Sequence, residues 1–166
     1  TEQFLPGKRA AHREVAALRK HLGKRLTRQL PKRAWIGARI IGSGGTFTNL
    51  GRMAVARRGG DPNEPVHGIE VSVAEVEHLV EWLSTRTALQ RRSVPGLNPE
   101  RADIILAGLT VIASVLERLD AGSVTVSAYG LREGLLWEMV GASAETVTCS
   151  ATEPTRTRSR RSSAHA

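Results

Sequence analysis

The chain has 166 residues, 40% of them hydrophobic, and a formal net charge of +8; that length can bury one core, and no apolar run reaches the roughly 18 residues of a membrane helix. A single cysteine, Cys149, excludes an internal disulfide and any zinc site of paired Cys-x-x-Cys units, and the five histidines include no His-Glu-x-x-His pattern. The charge sits at the ends: residues 1–33 hold ten basic and two acidic side chains (+8), residues 34–150 ten and thirteen (−3), and residues 151–166 four and one (+3), so the ends suit a polyanion of any kind while the middle reads as ordinary globular chain.

Thr1 in place of Met, with no charged-then-apolar leader behind it, predicts a cytoplasmic segment that begins within a longer protein. Val15, Leu18, Leu22 and Leu26 recur at three and four residues, which predicts an amphipathic basic helix from Gly7 to about Arg28, ended by Pro31. No aromatic interleaves its charges, so a solvated cationic face fits better than a helix dedicated to nucleic acid. Trp35, Ile36, Ile40 and Ile41 then read as a strand closed by Gly42-Ser43-Gly44-Gly45-Thr46, and Phe47, Leu50, Met53 and Ala54 keep helical spacing up to the breaker at residues 57–62.

An extended piece at Ile69–Val71 leads to Ser72, with Glu75 at capping-box spacing and Val76, Leu79, Val80 and Leu83 facing the core. Pro99 opens the next helix, expected to run to about Leu119, and its middle is apolar nearly all round, as a buried central helix requires. Val124 and Val126 alternate with polar residues as a strand, and Tyr129-Gly130-Leu131 turns into a last helix through Leu135, Leu136 and Met139. The order α-β-α-β-α-α-β-α predicts an α/β layer fold over residues 1–150, with only three short strands, an uncovered sheet edge and a need for upstream strands. Residues 151–166 lack apolar periodicity and predict a disordered basic tail.

Three segments can carry chemistry. A strand, glycine turn and helix start at Ile36–Leu50 bring backbone N–H groups to a helix N-terminus where phosphate can sit, with Ser43 and Thr46 as hydroxyl donors; a turn that only reverses the chain is the plainer alternative. It lacks the lysine of a Walker A loop, and Asp61 matches the dinucleotide fingerprint only in spacing. In the second segment, Pro95 to Asp103, acids suit the helix dipole and Arg101 does not, so Arg101 either pairs with Asp103 or faces an external anion. The third, Val126 to Gly134, offers Arg132 and Glu133 at a strand end, with an Arg132 bridge that locks the turn as the structural reading.

In this order and at these separations, Gly42-Ser43-Gly44-Gly45-Thr46, Pro95-Gly96-Leu97 with Arg101-Ala102-Asp103 and Ala107-Gly108, and Tyr129-Gly130-Leu131-Arg132-Glu133-Gly134 resemble the exopolyphosphatase/guanosine pentaphosphate phosphohydrolase family over about Thr1 to Gly141. Gly44 departs from it, because the family commonly has Ser there. The resemblance implies a ribonuclease H-like half-domain of the actin-like ATPase superfamily, the C-terminal part of the second of two such domains, with Thr1-Glu2-Gln3-Phe4 shortly after a first phosphate loop. It places that loop, the catalytic glutamate and the Mg²⁺-organising acids upstream, so no residue of this chain is named as general base. It implies phosphate binding by Gly42, Ser43, Gly44, Gly45 and Thr46, with the amides of Gly44, Gly45 and Thr46 as donors, and substrate recognition by Arg101, Asp103 and Arg132. Mg²⁺ as cofactor, polyphosphate or guanosine pentaphosphate as substrate, and the upstream half or a second copy as partner follow from it. Two other readings remain: a non-catalytic fragment that binds a polyanion or a subunit through its basic ends, and a nicotinamide oxidoreductase, which requires Asp61 at a strand end.

Overall fold

The structure, a computed structural model, describes residues 12–31, 35 and 37–139; the expectations for Thr1–Phe4, the start of the basic helix at Gly7, Ile36, Cys149 and the tail 151–166 lie outside them. Its elements are α1 (His12–Gln29), β1 (Ile41–Ser43), α2 (Gly45–Arg57), β2 (Glu70–Ser72), α3 (Val73–Ser84), the single turn α4 (Ala88–Arg91), a 3-10 turn at Pro99–Arg101, α5 (Ile105–Leu119), β3 (Ser123–Ser127) and α6 (Leu131–Met139). Apart from α4 and the 3-10 turn, this is the order read from the sequence. The three strands form one mixed sheet in the order β1-β3-β2, with β1 parallel and β2 antiparallel to β3. Val124 and Val126 of β3 are fully buried at the two-residue period of a strand.

α5 organises the interior. Ile105, Leu106, Leu109, Ala113 and Leu116 are buried, and α1 and α3 both pack against this helix. Its two buried hydroxyls cost little because each has a partner: Thr110 donates to the Leu106 carbonyl at 2.7 Å and Ser114 to that of Thr110 at 2.8 Å. Val15 and Leu18 turn inward from α1, and Arg19 donates to the Glu77 carboxylate of α3 through Nη1 and Nη2, an interaction that raises the Arg19 pKa.

Three local expectations change. The strand is confined to Ile41–Ser43 because Gly37, at φ +76°, bends the chain ahead of it and the Ala38 N–H closes a turn onto the Trp35 carbonyl at 3.1 Å. The helix from Pro99 is not continuous: i to i+3 bonds from Ala102 to Pro99 and from Ile104 to Arg101 make a tighter turn before α5 begins at Ile105. The last helix forms, but α6 buries no residue, and Leu131, Trp137 and Met139 are exposed.

The capping box of α3 is present: Glu75 N–H donates to Ser72 Oγ at 3.3 Å, and Ser72 N–H donates to the Glu75 carboxylate at 3.0 Å. Burial pushes the Glu75 carboxyl up, but the Ser72 bonds and then Arg58, whose Nε lies 2.8 Å away, outweigh it and leave the pKa lowered. A lowered folded pKa adds stability above the unfolded value and loses it as pH falls through the folded one. Ser72→Ala is therefore expected to cost about 1 kcal/mol at neutral pH, with the gap from the parent narrowing in acid, as urea denaturation at both pH values would measure.

Candidate phosphate-binding site

The parallel register that pairs Ser43 with Ser127 sets the ends of β1 and β3 side by side. Gly42 is required by the neighbouring ring, since a Cβ there would fall 2.1 Å from Phe47. Gly44 then turns at φ +98°, a conformation that favours glycine, and α2 starts at Gly45. The first bond back along the helix runs from Thr48 N–H to the Gly44 carbonyl at 3.0 Å, so the amides of Gly45, Thr46 and Phe47 have no acceptor within the helix. Gly44 supplies no side-chain cap, and the first turn carries no acid. These orphan donors and the positive end of the helix dipole are suited to an anion, worth roughly 0.3 to 1 kcal/mol for the dipole at an exposed site.

Arg101 faces this helix start. A Cβ on Gly45 would lie 2.7 Å from its Cζ and 2.8 Å from Nη2, so the guanidinium rests directly against the Gly45 backbone. Two devices bring it there from the 3-10 turn. Asn49, only 4% exposed, donates to the Gly45 carbonyl at 2.6 Å and accepts from Asn98 N–H at 2.6 Å, tying the helix start to the 95–101 segment. Gly96, at φ +80°, lets that segment lie on α2, because a Cβ there would come within 2.5 Å of the Arg52 carbonyl carbon.

Of the two alternatives for Arg101, the pair with Asp103 is not formed: among the described residues its guanidinium makes no ion pair. The charge of Asp103 acts instead on Arg91, whose buried side chain donates from Nε to the Leu83 carbonyl at 3.0 Å. Burial pushes the Arg91 pKa down and Asp103 opposes it.

The hydroxyls of the turn are placed less freely than the sequence suggests. Ser43 Oγ donates to the Tyr129 carbonyl at 2.7 Å, which commits its proton to joining the turn to the third segment. Thr46 packs on α5, where a Cβ at Gly108 would lie 2.7 Å from its methyl group. In the third segment Gly130 N–H donates to the Glu133 carboxylate at 2.6 Å; this bond, with the backbone of Glu133 and then Arg132, lowers the Glu133 pKa. Arg132 itself is exposed on the first turn of α6. Asp61 lies in a loop, its carboxylate accepting from Asn63 N–H at 2.9 Å, so the strand-end acid of a dinucleotide site is not formed by it.

Asn49 escaped the sequence reading, although a polar residue on the apolar side of a helix, four positions after Gly45, was its signal. Glycine-turn amides, a helix start and an unpaired guanidinium converge on one spot, while Arg132 contributes no bond to it. Among the described residues no group of three or more His, Cys, Asp and Glu could hold a metal ion.

A parallel strand pair whose glycine turn opens a helix opposite an arginine defines an α/β domain with a helix start suited to an anion. The chain belongs to the Ppx/GppA phosphatase family, whose model matches residues 1–143. It is 27% identical over 149 residues to exopolyphosphatase 1 of Mycobacterium leprae, a match covering 87% of this chain and 43% of that protein. Over 70 residues it is 31% identical to the guanosine-5'-triphosphate,3'-diphosphate pyrophosphatase of Vibrio atlanticus, covering 42% of this chain and 14% of the relative. The crystal structure of the Aquifex aeolicus Ppx/GppA family member superimposes with a TM-score of 0.74 at 26% identity, covering 84% of this chain and 44% of that one. An exopolyphosphatase from Cytophaga hutchinsonii shares the fold at a TM-score of 0.65 and 23% identity, covering 79% of this chain and 43% of that one. The chain thus spans less than half the length of these relatives.

Proposed function

We propose that this chain supplies one wall of a cleft that hydrolyses the terminal phosphoanhydride of inorganic polyphosphate or guanosine pentaphosphate, within a larger catalytic unit. The observation that carries it is the Arg101 guanidinium set against the uncapped start of α2 at Gly45. In this reading a terminal phosphoryl group sits on the amides of Gly45 and Thr46, with Gly44 close by. Arg101 meets the charge spread over its oxygens, and donors fixed before reaction lose nothing to reorganisation. Water attacks the terminal phosphorus, the bridging P–O bond breaks with its electron pair going to the shortened substrate, and orthophosphate is the second product. The base that takes the water proton, and the acids for the expected Mg²⁺, belong to residues outside those described, as does whatever extends the sheet beyond the edge strands β1 and β2 into a full actin-like domain.

The test is titration of the purified chain with tripolyphosphate. Binding that Arg101→Ala weakens supports the reading, and equal affinity in the folded variant overturns it. Orthophosphate release from polyphosphate by the chain alone, stopped by a chelator, would replace the larger-unit reading with autonomous catalysis.

A further inference from the structure

The outer face of α1 carries a row of exposed cations. At 3.6 residues per turn, Arg13, Lys20, Lys24 and Arg28 fall within an arc of about 80° opposite the buried Val15 and Leu18, and the row is about 22 Å long. All four are exposed. Arg19, on the flank, is held by Glu77; among the described residues Lys20, Lys24 and Arg28 have no carboxylate partner. Lys20 with Lys24 and Lys24 with Arg28 are like-charge pairs at i and i+4, each destabilising the helix by about 0.2 to 0.5 kcal/mol.

Ala17 lies within that arc, Thr27 and His21 stand at its two edges, and Ala16 and Gly23 lie on the flank towards Arg19; a Cβ at Gly23 would meet nothing within 4 Å, so no packing explains a glycine in mid-helix. Such a glycine costs about 1 kcal/mol against alanine. A helix that bears repelling charges along one stripe and an unforced glycine beside it breaks local rules without visible gain to folding among the described residues, which is the mark of a functional surface.

We infer that this stripe is a second binding site, for the chain of long inorganic polyphosphate. A flexible linear polyanion without bulky groups can lie along the stripe and displace its counterions. Single-stranded nucleic acid is the poorer fit, because α1 offers no aromatic side chain for base stacking. α1 packs on α5 and α3, and α5 carries Thr46 of the glycine turn on its Gly108 side. The stripe lies on the outer surface of α1, so a helix of about 10 Å diameter stands between it and the surface that α1 buries. A long chain can cover the whole row of about 22 Å, which separates polyphosphate from guanosine pentaphosphate. Only the identity of the polyanion rests on the function proposed above.

The experiment measures fluorescently labelled long-chain polyphosphate binding to the chain across salt concentrations, with tripolyphosphate titrated in parallel. Lys20→Glu with Lys24→Glu and Arg28→Glu is expected to weaken long-chain binding by about 10- to 100-fold at low salt and to flatten the salt dependence by a slope of two to three. Tripolyphosphate affinity should stay within about twofold, as screening of a distant exposed charge permits. The glutamine triple variant, checked with the glutamate one by circular dichroism, should show the smaller loss of simple neutralisation. Unchanged long-chain binding in both folded variants overturns the inference, and so does equal binding of single-stranded DNA of matched charge. Loss of tripolyphosphate binding in Arg101→Ala with the stripe still active would leave the two sites independently established; loss of long-chain binding in Arg101→Ala alone would assign all of it to the glycine turn.

Discussion

Gly96→Ala is expected to destabilise the chain by about 3 to 4 kcal/mol, two effects adding at one atom. The first is conformational: φ at Gly96 is +80°, and a side chain in the left-handed region costs about 1 to 2 kcal/mol. The second is steric. The new methyl carbon would lie 2.5 Å from the Arg52 carbonyl carbon and 2.7 Å from the Met53 nitrogen, backbone atoms of a helix whose Leu50, Met53 and Ala54 are buried, so neither side can yield without disturbing the core. Overpacking of this kind costs about 1 to 3 kcal/mol, against a total stability of about 5 to 15 kcal/mol for a domain. Gly59 and Gly68 share the positive φ, at +82° and +80°, but have nothing within 4 Å, so alanine there should show the conformational part alone. Urea denaturation of the three variants separates the effects: a loss at Gly96 no greater than at Gly59 would show that the 95–101 segment does not rest on α2.

That segment also marks the boundary of what could be read in advance. The central position of α5 was legible because Ile104 to Leu116 offers almost no polar face for water, and the α3 start because Ser72 and Glu75 satisfy each other's backbone amides locally. The glycine turn was legible because close approach and a left-handed turn leave few other residues a place. The direction of Arg101 was not, because it depends on a 3-10 turn that the apolar pattern hides and on an asparagine bond across 49 positions of sequence. The influence of Asp103 on Arg91 was hidden because proximity in sequence offers Arg101 as its partner, whereas Arg91 comes from α4. The exposure of α6 could not be foreseen either: Leu135, Leu136 and Met139 have the spacing of a buried stripe, and whether a stripe is covered depends on what stands opposite it.

The largest functional effect should come from Gly45→Ala and Arg101→Ala acting as one lesion. A hydrogen bond to a charged group contributes about 1.5 to 3 kcal/mol, so removal of the Arg101 guanidinium is expected to weaken tripolyphosphate binding by about 10- to 100-fold. Gly45→Ala should reproduce that loss from the other side. Its methyl would meet the guanidinium at 2.7 Å, and the atom in the way is the end of a flexible side chain, so Arg101 swings off while the backbone stays. Gly45 has no positive φ and opens a helix, where alanine is well tolerated, so the stability change should remain below about 1 kcal/mol. The double variant should then bind no more weakly than either single one, the signature of two residues that act through one contact. Arg101→Lys keeps the charge and loses the planar fork, and should recover part of the affinity. Additive losses would show that the methyl obstructs the amides directly and that the guanidinium acts elsewhere; matched and saturating losses place Arg101 at the helix start, on the anion.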